Sequence, residues 1–390
     1  MDVIIASAAR TAVGGYGGTL RDMPLPQIVI PVMDHVVKQA GIEKKDIDDI
    51  IFGNTFGIEY GNVARTCGIL GGYPDEVTGM TINRVCNSSM EAINIGTLKI
   101  KAGEADVIMA GGVESMSSSP YLMPQLRWGS RLRSSKALDI LWDGMQDPVF
   151  GIGMGLTAEK LAEIHNISRE EQDKVALRSH QNAGKAAREG KFDDEIVPLK
   201  VPKKKKEIVF KRDEHIREDI SLESLARLRP AFKKDGTVTA GNACGMNDAG
   251  AVIILMSDKK AKEIGVTPMA RIVSYGVAGV DPDIMGWGPV PATKVALKRA
   301  GMQLKDIDLI ELNEAFAAQY IACEIGLGFD REIANVNGGG IALGHPIGAT
   351  ATRLVISLVN EMKRRENRFG LATLCGGGGI GSSIIIENMS

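Results

Sequence analysis

The stretch VVKQAGIEKKDIDDIIFGNTF, Val36 to Phe56, recurs as ALKRAGMQLKDIDLIELNEAF, Ala296 to Phe316. Nine of 21 positions are identical without a gap, among them Ala40-Gly41 with Ala300-Gly301 and Asp46-Ile47-Asp48 with Asp306-Ile307-Asp308. Each copy reads as the end of an amphipathic helix, a glycine stop, a short acidic turn and an apolar strand. At the same offset of 260, Cys86 falls on Pro346, next to His345, and each position opens a helical pattern. Each helix then leads to a strand that ends in glycines, one at Gly111-Gly112 and the other at Gly376. Two similar α/β halves account for this, each placing one reactive segment at an equivalent point. Strands that alternate with helices imply mainly parallel sheets covered by helices on both faces.

The halves are separated by a stretch of different composition. Residues 119–244 are rich in charge and in helical periodicity, and include the basic run Lys200 to Arg217. They read as an insertion into the first half, with Ala249 to Met256 as a strand that returns to it. The expected units are therefore 1–118 with 245–267, an inserted loop domain 119–244, and a second half 268–390. By default the basic run is a solvated hairpin, and its functional alternative is contact with a phosphorylated ligand.

At 390 residues the chain is too long for one core, and 44% hydrophobic with 24% charged residues is the composition of a soluble globular protein. A net charge of −2 gives no drive toward nucleic acid or a membrane surface. There is no basic segment followed by an apolar stretch at the N-terminus, and no run of about 18 apolar residues, so a cytoplasmic location is expected. Five cysteines (Cys67, Cys86, Cys244, Cys323, Cys375) lack short paired spacing, which argues against a disulfide framework and against a metal site.

Three segments carry candidate chemistry. In Asn83-Arg-Val-Cys86-Asn-Ser-Ser89 the thiol sits at a helix start that Ser88 or Ser89 can cap, where the helix dipole can lower its pKa. A buried structural cysteine is the alternative. His345, in Gly344-His345-Pro346, is the only one of five histidines in a glycine-rich turn, and proline suits a first helical position. It can activate a nucleophile or donate to an oxyanion, or simply bond to backbone. Cys375 opens Cys-Gly-Gly-Gly-Gly-Ile-Gly381. A phosphate-cradling loop would need a following helix, whereas Ser382-Ser-Ile-Ile-Ile386 reads as a strand, so a hairpin with N–H groups near a reacting carbonyl is expected. Asn313-Glu314 replaces Gly53-Asn54 of the first copy, bringing an amide to a strand end that can hold a water or a carbonyl, or a mere cap.

With these motifs in order, the chain resembles the thiolases over essentially its whole length. The resemblance rests on N-R-x-C-x-S-S at 83–89, N-E-A-F at 313–316, N-x-N-G-G-G-x-A-x-G-H-P-x-G at 335–348 and C-G-G-G-G-x-G at 375–381. It implies a five-layered α/β/α/β/α pair of halves with a loop domain for coenzyme A. Expected chemistry is thiolytic cleavage of acetoacetyl-CoA or a longer 3-ketoacyl-CoA, or condensation of two acetyl-CoA, through an acyl-Cys86 intermediate. By motif position, His345 activates Cys86, Cys375 is the acid/base toward the acetyl-CoA carbanion, and Asn313 with His345 holds the enolate oxyanion through a water. The N–H groups of Cys86 and Gly377 form a second oxyanion hole. Arg217, Ser224, Phe232, Ala240 and Cys244 would touch coenzyme A, and Met154 the acyl end. Coenzyme A is a substrate, no further cofactor or metal is implied, and the family resemblance suggests a homotetramer or homodimer.

Departures concern specificity. Gly153 stands where acetoacetyl-specific relatives carry a histidine, Cys244 where a serine is usual, and Asp281–Ala292 looks more like the degradative 3-ketoacyl-CoA branch. A ketoacyl synthase is the nearest rival, but Cys375 argues against it. A thiolase-like acyl-CoA binding or assembly subunit would have lost a cysteine or His345, and a cysteine hydrolase has no need of Cys375.

Overall fold

The computed structural model describes every residue except Arg133, Pro148, Lys204 and Lys205. Its strands are β1 (Val3–Arg10), β2 (Asp49–Gly53), β3 (Thr78–Ile82), β4 (Val107–Ser115), β5 (Asn247–Ser257), β6 (Ala270–Gly279), β7 (Leu309–Leu312), β8 (Phe369–Gly376) and β9 (Ile380–Asn388). They hydrogen-bond in the order β7-β8-β9-β6-β1-β5-β4-β2-β3, with Gly14–Gly15 added beside β5.

This order is the duplication made visible. The first half runs β1-β5-β4-β2-β3 and the second β6-β9-β8-β7, joined where Ile4 and Ile5 pair with Arg271 and Ala270. In place of a β3 the second half has a single parallel bridge, Ile310 to Ala334. The acidic turns repeat to the atom: Asp48 Oδ2 accepts from the N–H groups of Asp106 and Val107, and Asp308 Oδ2 from those of Arg368 and Phe369.

Alternation along each strand creates the layers. Val3 and Ile5 of β1 face an inner core, and Ile4 faces an outer one. The inner core contains residues of both halves and of two helices, α3 (Ser88–Ala102) and α9 (Thr350–Arg365). On the outside, α1 (Leu25–Ala40) and α2 (Val63–Leu70) cover the first half. Helices α7 (Pro289–Ala300) and α8 (Ala317–Leu327) cover the second. The result is the expected α/β/α/β/α stack. In this centre 13 of the 16 residues of α9 are buried, polar ones such as Arg353, Asn360 and Glu361 included.

Two expectations need correction. The sheet is mixed, not mainly parallel: only β2/β3, β2/β4 and β7/β8 are parallel. Parallel pairs need a crossover helix, whereas β8 turns straight into β9 through glycines and β5 returns antiparallel between β1 and β4. The repeat also slips. Ser88 and Thr350 open the paired helices at an offset of 262, so the structural counterpart of Cys86 is Gly348 rather than Pro346. Pro346 lies in the turn before α9, not at its first position.

The inserted stretch contributes α4 (Met154–Ile164), α5 (Arg169–Arg188) and the short α6 (Leu222–Ala226). Ala158, Leu161 and Val175 pack with Phe316 and Tyr320 of the second half, so the stretch is built into the core and not merely attached. In the basic run Leu199–Lys203 pairs antiparallel with Lys206–Phe210, as a hairpin would, and Lys204 and Lys205 lie outside the described residues. Among the described residues no helix is long and apolar enough to cross a membrane.

Candidate active site

Cys86 is delivered by a strained loop. Val85 is held at φ 50, a left-handed conformation that costs a β-branched residue roughly 1–3 kcal/mol. Ser88 stabilises the bend by accepting from Arg84 N at 2.9 Å and donating to Val85 O. The N-cap of α3 is Asn87, which makes no side-chain cap bond, so neither serine caps as the sequence suggested. The expected fall in thiol pKa is not found either. Burial pushes the Cys86 thiol up to about 11, against the opposing pull of the Gly377 N–H and its own N–H. Desolvation outweighs the helix end here.

Cys375 lies near the end of β8, opposite Gly381, and the chain reverses through Gly376–Gly379 with φ 78 and 77 at Gly378 and Gly379. The hairpin is the one anticipated, and it carries Gly377 onto Cys86. Burial raises the Cys375 thiol well above its ordinary value, and the neighbouring Cys86, Cys323 and Cys244 raise it further. Cys244 is pushed up to about 12 by burial and next by Cys86. Four thiols thus lie close together, and burial keeps Cys86, Cys244 and Cys375 protonated at rest.

His345 comes from the second half but is held largely by the first. Its N–H donates to Asn247 Oδ1 at 2.8 Å, and it bridges to Met246. Its Nδ1 lies 2.7 Å from Thr350 Oγ1, whose hydroxyl donates to Pro346 O at 2.8 Å. The hydroxyl hydrogen being spent, Thr350 accepts from Nδ1–H, and Nε2 keeps its lone pair. Burial, and then the positive Arg353, lower the His345 pKa to about 3, so the ring is a neutral base.

The remaining contacts fix the histidine loop at its ends. Glu314 Oε2 accepts from Ser179 Oγ at 2.6 Å and Ile341 N at 3.3 Å, and Ser179 Oγ accepts from Gly339 N at 3.0 Å. Glu114 Oε2 accepts from Gly348 N at 2.9 Å. Asn313 follows β7, its N–H on Thr373 O at 3.0 Å. Its side chain is fully buried with neither amide atom bonded, leaving a donor and an acceptor free for a ligand or water.

The residues expected to touch coenzyme A fall into two groups. Arg217 lines a cavity of about 520 Å³ with Glu214, His215 and Asp219, and the His215 ring covers Gly245, next to Cys244. Phe232 covers Gly155 and meets Phe316 edge-on at 6.0 Å, while the Met154 sulfur lies beside Gly377. Ser224 and Ala240 are exposed, Ser224 in a capping box with Ser221. Sequence reasoning missed Asn247, Thr350 and Glu114. Thr350 lies five residues after His345, a spacing that signals such a contact, but Asn247 and Glu114 act across the chain and leave no local trace.

Residues 3–259 match the thiolase N-terminal domain and residues 266–388 the thiolase C-terminal domain. The chain belongs to the thiolase family. It is 49% identical to an acetyl-CoA acetyltransferase of Syntrophomonas wolfei, across 99% of both chains. The structure of the Bacillus anthracis acetyl-CoA acetyltransferase superposes with a TM-score of 0.98 at 51% identity, covering 99% of this chain and 98% of that one. Human mitochondrial 3-ketoacyl-CoA thiolase in complex with CoA superposes at 0.95 with 42% identity, covering 100% and 98%. Family membership makes the protein an acyltransferase with thiolase function.

Proposed function

We propose that the chain transfers acyl groups between Cys86 and coenzyme A, cleaving acetoacetyl-CoA or a longer 3-ketoacyl-CoA and, in reverse, condensing two acetyl-CoA. The observation that carries this reading is the glycine turn after Cys375 packed on the Cys86 loop, where a Cβ on Gly376 would run into Asn87 and one on Gly377 would touch Val85, so that the Gly377 N–H turns toward the Cys86 thiol and the buried Cys375 thiol lies close by. In cleavage, the Cys86 sulfur attacks the 3-keto carbon while His345 Nε2 takes the thiol proton. The carbonyl oxygen gathers charge facing the N–H groups of Cys86 and Gly377, a position worth about 3 kcal/mol per donor. The bond between C2 and C3 then breaks, and its electron pair passes to the acetyl-CoA enolate. Cys375 gives that carbon a proton, and Asn313 with His345 holds the enolate oxygen through a water. Coenzyme A thiol loses its proton to Cys375 and attacks the acyl-Cys86 thioester; Cys86 leaves as a thiolate and takes its proton back from His345, which restores both groups.

A histidine and a thiol that are both neutral at rest fit this order. Charge separation is unfavourable in the empty site and becomes useful once a thioester carbonyl is there to receive the electrons. We further propose that residues 119–244 form the coenzyme A-binding unit, that coenzyme A is a substrate with no separate cofactor, and that the protein is cytoplasmic. A homotetramer or homodimer is supported by the half-exposed edge strand β3 and by exposed apolar side chains such as Trp128 and Leu132; sedimentation velocity would measure it. Incubation with acetoacetyl-CoA followed by peptide mass spectrometry tests the main claim. An acetyl thioester is expected on Cys86, and one on Cys375 that survives Cys86→Ala overturns the assignment.

A further inference from the structure

The two halves touch each other's reactive loops at equivalent points. In register, Val107 of β4 matches Phe369 of β8, since each carbonyl accepts from the equivalent Asp48 or Asp308 N–H. Glu114 at the end of β4 therefore matches Gly376 at the end of β8, and Cys86 matches Gly348. The strand end of the second half presents its Gly377 N–H to Cys86. The strand end of the first half presents the Glu114 carboxylate to Gly348 N, three residues after His345.

Glu114 is fully buried and accepts four hydrogen bonds. Oε1 takes Asn54 Nδ2 and Phe56 N, both at 3.1 Å, and Oε2 takes Thr55 N at 3.0 Å and Gly348 N at 2.9 Å. Of these, only Gly348 belongs to the second half. The loop is seated against backbone. A Cβ on Gly112 would collide with Gly348 O, one on Gly53 would lie 2.7 Å from that oxygen and 2.5 Å from Ser89 N, and one on Gly348 would lie 2.8 Å from Glu114 Oε2. Such packing leaves the loop one position, and the carboxylate closes it. Keeping the charge there is costly, because burial pushes the carboxyl up to about 7 although the N–H groups of Phe56, Thr55 and Gly348 pull it down. An apolar residue would fill the same volume without that cost, so the carboxylate does more than fill space.

We infer that Glu114 is a positioning residue for acyl transfer, fixing the His345 loop of the second half against the Cys86 loop of the first through Gly348 N. The inference rests on the roles proposed above for Cys86 and His345. Glu114→Gln preserves size, but in either amide orientation its NH2 meets N–H donors and one oxygen's worth of acceptance is lost. In thiolysis of acetoacetyl-CoA, kcat is expected to fall at least 30-fold with the KM for coenzyme A changed less than threefold. Hydrogen exchange, followed by mass spectrometry, should speed up at least tenfold in peptides covering residues 344–349 and stay unchanged in α1. Gly348→Ala, which keeps the carboxylate and displaces the loop, should give the same pattern and replaces Glu114→Gln if that variant does not fold. Faster exchange with wild-type kcat overturns the inference, as does lost kcat with unchanged exchange. Thioester mapping of the unmodified protein in parallel separates the two claims. If Cys86 is not acylated there, the proposed function fails, while the exchange data still report whether Glu114 holds the loop.

Discussion

The first and second halves share strand order, acidic turn and central helix, yet they contribute different things to the site. The first half supplies the proposed nucleophile, Cys86, on a strained loop and two side chains, Asn247 and Glu114, that grip the other half. The second supplies His345, Cys375 and Asn313, and a glycine turn thin enough to bring an N–H to the nucleophile. The contrast is sharpest at the strand ends. Where β4 ends in a carboxylate, β8 has Gly376, and a Cβ there would run into Asn87. Duplication provides two helix starts and two strand ends at one centre, and divergence makes one set the chemistry and the other the holder.

That division is broken most directly at its nucleophile. Cys86→Ala should remove both thiolysis and the covalent intermediate, a loss of at least about 10⁴-fold, because no other group can form the thioester. Residual burst acylation, seen by intact-mass measurement, would move the nucleophile to the other half. Cys375→Ser comes next. Its acylation by acetoacetyl-CoA should persist in single turnover, while exchange of the acetyl-CoA α-proton with deuterated water falls by about 10²–10⁴-fold, the usual worth of a placed acid/base. Normal exchange in that variant would give the proton to another group. Asn313→Ala should cost about 10²-fold in kcat for exchange and leave acylation nearly intact, since the role proposed for its unpartnered amide belongs to the enolate step alone.

The pH dependence of Cys86 probes whether burial or the helix end governs the thiol. Its pKa is raised to about 11, so the reactive thiolate fraction increases with pH. Alkylation of Cys86 by iodoacetamide, mapped by peptide mass spectrometry, should quicken about tenfold per pH unit from 7 to 10. A plateau near neutrality would mean that the loop's N–H groups prevail and that the free enzyme holds a thiolate.

Much of this was legible in sequence because it is local. The repeat at 36–56 and 296–316 predicts two halves, and the run after Cys375 predicts a hairpin because strand-forming residues follow it. What stayed hidden depends on partners distant in the chain. The helix-start argument for a lowered Cys86 pKa used only local residues and could not include the burial imposed by α9 and the glycine turn. The parallel-sheet expectation failed for the same reason: whether β5 returns parallel or antiparallel depends on the insertion before it. Pairing Cys86 with Pro346 assumed one offset throughout, and the two extra residues before α9 shifted the match to Gly348.

The smallest expected effect concerns the acyl end, where neither half alone decides. Gly153, at the N-cap of α4, has ordinary extended angles (φ −68, ψ 147), and nothing lies within 4 Å of where its Cβ would be. Beside the thiol, Val85, Met145 and Met246 pack around a small cluster of Phe56, Met116, Leu141 and Ile347. Methionines adapt their shape at little cost, so this wall can yield to extra methylenes. Two buried methylenes contribute up to about 1.6 kcal/mol, roughly 15-fold in kcat/KM. The ratio of kcat/KM for 3-ketohexanoyl-CoA to that for acetoacetyl-CoA should therefore stay within about 15-fold of unity. Gly153→His, tolerated by the backbone, fills the open side and should lower that ratio about tenfold while sparing acetoacetyl-CoA. A hundredfold preference for acetoacetyl-CoA in the unmodified protein would mean that the methionines already close the pocket. Gly153 would then be open space with no bearing on chain length.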